Sequence, residues 1–244
     1  MKYLIKIITL ISIILLGNIT FSQKESSIYD SSINKKFNYQ LEFKNIAAGN
    51  ASISITEILS NEAKILRLKS KIKTNRFLDF FYKIRDEINI DMNYNDFSLL
   101  EVHNKIREGK YKKNYHAIVD RESMEIITKE NRQTISTKIY SPLSIIFSLR
   151  DKVLQNDDMY HYQVYSSGKL KDINISVIGR ENVRTPYGLY KTIILSPKSM
   201  NGKSAINNKG DMKIWLTDDE KRLPLKIEIK LKHGSILLLL DDIE

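Results

Sequence analysis

The stretch YSPLSIIFSLRDKV, Tyr140 to Val153, is the one clear amphipathic helix in a sequence that elsewhere alternates like strands. Ser141 is placed to act as N-cap, and Pro142 as first helical residue, where its missing N–H leaves no bond unmade. Leu143, Ile146, Phe147, Leu149 and Val153 recur at three- and four-residue spacings. They give a wide apolar face that must be buried, and a sheet is the only partner on offer.

Upstream, Phe37, Tyr39, Leu41 and Phe43 alternate with Asn38, Gln40 and Glu42, the period of a half-buried strand. Ala47, Ala48 and Gly49 read as a small-residue turn, and Ala51, Ile53 and Ile55 as the inward side of a partner strand. In the third strand Leu66, Leu68, Ser70 and Ile72 face one way, and Arg67, Lys69, Lys71 and Lys73 the other. That basic face could lie against phosphates or acidic sugars; a solvated strand face needs polar residues in any case, and lysines discourage edge pairing. Phe77, Leu78, Phe80, Phe81 and Tyr82 crowd the next segment, as the lining of a ligand mouth, a membrane contact, or, by the general habit of aromatics, a plug in the core.

Strand alternation resumes at Ile88 to Tyr94. Leu99 to Ile106 and Tyr111 to Val119 form a hairpin closed by Glu108 and Gly109, and Met124 to Thr128 and Thr134 to Tyr140 give two short strands before the helix. After it, Tyr160 to Tyr165 and Leu170 to Ile178 flank a turn at SSGK, and Leu189 to Leu195 returns from a turn at Thr185 to Gly188. Ser199 to Gly210 reads as a loop. Met212 to Leu216, Leu225 to Leu231 and Ile236 to Leu240 complete a meander. The last of these is apolar on both faces, which predicts that the helix or an aromatic loop covers it.

Residues 1–22 read as a signal peptide: Lys2 and Lys6 precede an apolar run from Ile7 to Leu16, with small residues before cleavage near Ser22. The run is too short to span a bilayer, which takes about 20 residues. The expected mature chain has no transmembrane segment and begins with a flexible lead, 23–36, ahead of a single β-rich domain, 37–241. Loss of Lys2 and Lys6 lowers the formal charge from +10 to +8. A basic exported protein could meet anionic lipids or envelope polymers, although the bias toward Lys, Asn and Ile accounts for much of the basicity. The sequence contains no Cys, which excludes disulfides, thiolate chemistry and an acyl anchor.

No catalytic or cofactor motif stands out: there is no G-x-S-x-G, S-x-x-K, phosphate loop or G-x-G-x-x-G. His103, His116, His161 and His233 are not at metal-ligand spacing, and Asp218 to Glu220 lacks the spacing of a calcium loop. No metal or cofactor is expected. The interleaved Lys and Tyr of 110–115 have the composition of a single-strand nucleic-acid platform, but export argues against that partner.

Several stretches together resemble the uncharacterised exported bacterial family 3108 of domains of unknown function. FNYQLEFKNIAAGNASISI resembles its first hairpin, SPLSIIFSLR its helical motif, GRENVRTPYGLYKTIILSP its turn and following strand, and WLTDDEKRLPLKIEIKLKHGSI its closing strands, with Arg222, Leu223 and Pro224 as the recognisable core. The likeness runs from Phe37 to Leu240. It implies a β-rich exported protein and carries no catalytic residues. By analogy of fold alone, the architecture resembles the half-barrels of periplasmic lipoprotein carriers.

The sequence therefore predicts a mainly β protein: an antiparallel, strongly curved sheet or incomplete β-barrel, with one principal α-helix packed on its concave face. The leading functional expectation is non-enzymatic binding of an apolar or amphipathic, lipid-like ligand between sheet and helix, lined by Leu143, Ile146, Phe147, Phe80, Phe81 and Tyr82. The location expected is the periplasm, or the periphery of the outer membrane, of a Gram-negative-type bacterium. An assembly protein binding another envelope component through a sheet edge or its basic face is the alternative, and a hydrolase of envelope polymers comes third.

Overall fold

The structure, a computed structural model, describes residues 32–60, 63–166, 168–200, 211–231 and 234–244. The expected signal peptide, residues 23–31 of the lead, His233 and residues 201–210 of the expected loop lie outside the described residues.

The first half contains β1 (Lys35–Phe43), β2 (Ile46–Ser60), β3 (Ala63–Thr74), the short helix α1 (Arg76–Asp79), β4 (Arg85–Asn93), β5 (Leu99–Glu108), β6 (Tyr111–Asp120), β7 (Glu125–Thr128) and β8 (Arg132–Thr134). Then come β9 (Ile139–Tyr140), helix α2 (Pro142–Ser148), β10 (Met159–Ser166), β11 (Lys169–Thr185), β12 (Gly188–Ser199), β13 (Asp211–Thr217), β14 (Pro224–Leu231) and β15 (Gly234–Ile243). The fifteen strands form one sheet in the order β8-β7-β6-β5-β4-β3-β2-β1-β15-β14-β13-β12-β11-β10-β9. All pairs are antiparallel except β9 with β10, and β1 pairs with β15, so the first and last strands meet in the middle of the sheet.

The sheet is not closed, yet it cannot be flat. Laid flat at about 4.8 Å between strands, fifteen strands would span roughly 67 Å. The edge strands β8 and β9 are joined by residues 135–138 alone, a link that reaches at most roughly 18 Å. The edges must therefore approach, and the sheet curls into a barrel with one unsealed seam. Asp96 grips Lys138 of that link, Nζ to carboxylate, at 2.7 Å, and the Tyr115 and Tyr165 rings meet at 5.9 Å from opposite sides. The stretch expected as one strand, Thr134 to Tyr140, is thus split: its two ends pair on opposite edges of the sheet.

The first turn also differs from expectation. It is formed by Lys44 and Asn45, both with positive φ (50° and 62°), the geometry that matches strand twist in a two-residue hairpin. Ala47, Ala48 and Gly49 belong to β2 at a bulge opposite Leu41 and Glu42. Gly49 serves close approach: a Cβ there would sit 2.1 Å from the Lys73 carbonyl oxygen.

Helix α2 begins as expected. The Ser141 hydroxyl accepts from the Ser144 N–H, and the Ser144 hydroxyl accepts from the Ser141 N–H, both at 2.9 Å. The helix is shorter than its periodicity suggested, passing into a 3-10 turn at Leu149–Asp151 before Lys152 becomes extended. Val153 is exposed, outside the expected face. Ser144 to Ser148 are buried all round rather than along one stripe. Arg150, itself buried, donates from Nε and Nη2 to the Lys221 carbonyl, with the Nε bond at 3.0 Å, and so pins the end of the helix to the turn between β13 and β14. Ile236 to Leu239 in β15 remain half-buried, with Leu238 packed against the core and Leu240 fully buried, so among the described residues the strand is not covered on both faces. Leu237 and Leu239 lie between Glu42 and Glu228, and between Gln40 and Lys226, in the flanking strands, whose long side chains shield them in part.

Candidate functional site

The inner face of β10 to β13 and the first turn of α2 enclose an apolar groove of about 260 Å³. Strand alternation aims the lining: Val164 and Ser166 from β10, Lys171, Ile173 and Ile175 from β11, Pro197 from β12, and Met212 and Ile214 from β13. Pro142 and Ile145 supply the helical wall. The groove survives beside a packed core because the helix is buried on its other sides, with Phe147 against Phe37 at 6.4 Å between ring centroids. Lys171 is the one charged side chain in the lining. The arrangement suits a narrow apolar chain with a polar end; its volume lies just under the roughly 300–1,000 Å³ of drug-sized pockets.

The expected lining is not brought together. Ile146 and Phe147 close the core at 1 % exposure each, and Leu143 packs against it, whereas Phe80, Phe81 and Tyr82 stand in solvent at 86 %, 68 % and 51 %. The aromatic segment is therefore not a core plug. Asn75 caps α1 by accepting from Leu78 N–H, and Asp79, gripped by Arg85 at 2.5 Å, turns the chain straight back into β4. Among the described residues no layer of structure buries the three Phe rings, while Tyr82 lies beside Gly109.

The expected basic face is a surface of mixed charge. Asp91 binds Arg67 through two bonds, at 2.7 and 2.6 Å, and Lys71 lies opposite Glu87 on β4. Lys71 and Lys73 share an outer trough of about 620 Å³ with Glu87, Asp242 and Glu244. A third cleft, of about 530 Å³, lies at the seam and is lined by Asp96, Lys138, Tyr140, Tyr160, His161 and Tyr162 among others. Burial raises the Tyr140 and Tyr162 phenols above their usual range, and the Tyr162 hydroxyl is bonded to Ser148 at 3.2 Å. His103 and His116 face each other across β5 and β6 at 5.7 Å, with Glu101 beside His116 at 2.6 Å. Among the described residues no group of three His, Asp or Glu side chains could hold a metal ion.

The groove residues were partly visible in the sequence, since Ile173, Ile175, Met212 and Ile214 are inward by alternation. Pro142, Ile145 and Pro197 gave no signal, because a groove is made where elements distant in sequence fail to fill the space between them.

The fold defines an open, barrel-like β protein. Residues 38–241 match the family described as protein of unknown function, DUF3108, and the chain belongs to that family. No curated protein matches it. Among solved structures it is similar to a β-barrel-like protein of the domain of unknown function DUF1849 from Brucella abortus, with 10 % identity, a TM-score of 0.56, and coverage of 87 % of this chain and 98 % of that one. A weaker likeness, with a TM-score of 0.35 and 8 % identity over 87 % of this chain and 96 % of the other, is to a candidate exported protein with a YmcC-like fold from Bacteroides fragilis. A candidate lipoprotein from Parabacteroides distasonis is similar at a TM-score of 0.34 and 10 % identity, over 88 % and 96 % of the two chains. Among the described residues no helix is long and apolar enough to cross a membrane.

Proposed function

We propose that this protein binds one apolar or amphipathic, lipid-like chain in the groove between α2 and strands β10 to β13, without turning it over. The observation that carries the reading is an apolar groove of about 260 Å³ kept open beside a filled core, with a single charged residue in its wall. Helix α2, on the concave face of the curled sheet, would form one wall of the site, and residues 37–241 would act as one domain. Export through the signal peptide at 1–22 would place the protein in the cell envelope, where such ligands are plentiful. The assembly alternative is less favoured at the outermost strands, β8 and β9, which are three and two residues long and too short to template an added strand.

The test is uptake of a fluorescent fatty-acid probe. Met212 is half-buried in the groove wall, at the margin of the core, and Met212→Trp would fill the space. Probe fluorescence should rise with the native protein and not with the variant. Equal uptake by both, or none by either, would count against this site.

A further inference from the structure

The strand directions gather the exposed aromatics at one rim of the barrel. That rim carries the β1–β2 turn, the α1 segment between β3 and β4, and the β5–β6 turn. The three are tied together: the Asn75 side chain donates to Ala47 O at 2.7 Å, the Gly109 N–H to Lys83 O at 2.8 Å, and Ile84 bridges Glu108. Phe77, Phe80 and Phe81 stack edge to face at 5.6 and 5.2 Å while remaining 61 %, 86 % and 68 % exposed. Tyr82, 51 % exposed, continues the cluster. Rings in contact with one another and open to water hold a fixed shape whose cost in solvent is not relieved by the fold itself.

Cations lie on the same rim. Lys44, Arg76, Lys83, Arg107, Lys110 and Lys112 are all exposed on these segments, and among the described residues none is in an ion pair. The nearby acids are compensated or buried: Asp79 is held by Arg85, Asp86 is buried and accepts from the Arg107 N–H, and Glu108 is half-buried. Apolar rings at the tip with cations behind them match the layering of an anionic bilayer, whose acyl boundary lies beneath charged head groups. The aromatics expose roughly 400–650 Å² at about 150–250 Å² per ring side chain. That is short of the about 800 Å² per partner of a stable protein interface.

We infer that the α1 rim, with Phe77, Phe80 and Phe81 at its tip, docks this protein on the surface of a membrane rich in anionic lipid. The groove reaches the same rim, since Ser166 ends β10, Met212 is the second residue of β13 and Pro142 opens α2. Docking would thus turn the groove's mouth toward the bilayer. The inference stands on the exposed patch and does not require that the groove carry a ligand.

The experiment is co-sedimentation of the naturally processed protein with phosphatidylcholine vesicles, with and without phosphatidylglycerol. Native protein should pellet with the anionic vesicles only, and less as salt rises. Phe80→Ser combined with Phe81→Ser, both at exposed positions, should melt like the native protein and bind at least about tenfold more weakly, from the apolar area removed. Arg76→Gln and Lys83→Gln should each cost about fivefold. The serine pair should leave uptake of the fatty-acid probe unchanged, since neither Phe80 nor Phe81 lines the groove, which separates this inference from the groove. Native protein left in the supernatant, or a serine variant that pellets fully, would overturn it. So would a native dimer that the serine variant converts to a monomer without any vesicle binding, since the rim would then be an interface between copies.

Discussion

Replacing Arg150 by Met keeps a long apolar stem at the end of α2 and removes the guanidinium. Arg150 is 3 % exposed, so its bonds are made away from water. It donates twice to the Lys221 carbonyl and lies over the Phe147 ring at 5.9 Å. Hydrogen bonds from a charged donor are worth about 1.5–3 kcal/mol. The ring contact and the favourable end of the helix dipole add about 1 kcal/mol between them. Against this, Met escapes the cost of burying a charge. A net loss of roughly 2–3 kcal/mol is expected, or about 4–12 °C in melting temperature for a chain of this size. Thermal unfolding followed by far-UV circular dichroism measures it. Arg150→Lys should fall between the two, since one ammonium cannot reproduce a planar fork. A Met variant melting within about 1 °C of the native protein would refute the pinning of α2 by Lys221.

Three further outcomes follow from the geometry. Gly49→Ala should destabilise by at least about 2 kcal/mol, at the upper part of overpacking costs, because its new Cβ would sit 2.1 Å from the Lys73 carbonyl oxygen; urea unfolding reads this. Burial raises the Asp96 carboxyl, but bonds from Lys138 and Ser98 outweigh it and hold the group below its ordinary value. A depressed folded value means stability that is full above the unfolded value, about 3.9, and lost as pH falls through the folded one. Lys138→Met should therefore lower the melting temperature at neutral pH, and the gap should shrink toward zero in acid. Phe147→Ala should cost about 3–5 kcal/mol, as other large buried aromatics do, whereas Phe80→Ala at 86 % exposure should change the melt by less than about 0.5 kcal/mol.

The strands were legible wherever one face is buried, because a period of two leaves no other reading. Phe37, Tyr39 and Leu41, or Leu66 and Leu68, are buried as their alternation required. The cap of α2 was legible for the same local reason. Misreadings fell where long-range geometry decides. Lys44 and Asn45 adopt positive φ with no Gly to announce it, so the turn appeared to fall on Ala47 to Gly49. Thr134 to Tyr140 alternates acceptably as one strand, and only the curl of the sheet sends its ends to opposite edges. Phe77 to Tyr82 have the composition of a core segment, and their exposure follows from the turn that Asn75 and Asp79 enforce. Arg150 and Lys221 illustrate the converse. Each flanks or belongs to a stretch that resembles the family, SPLSIIFSLR and the run before Arg222, Leu223 and Pro224, and the fold brings the two into contact.

The most direct test of ligand carriage is native mass spectrometry of the protein purified from its own cells, with organic extraction of what accompanies it. The groove predicts a bound lipid or other single-chain apolar molecule at one per chain, lost in Met212→Trp. A clean apo mass that takes up no added lipid would contradict that account.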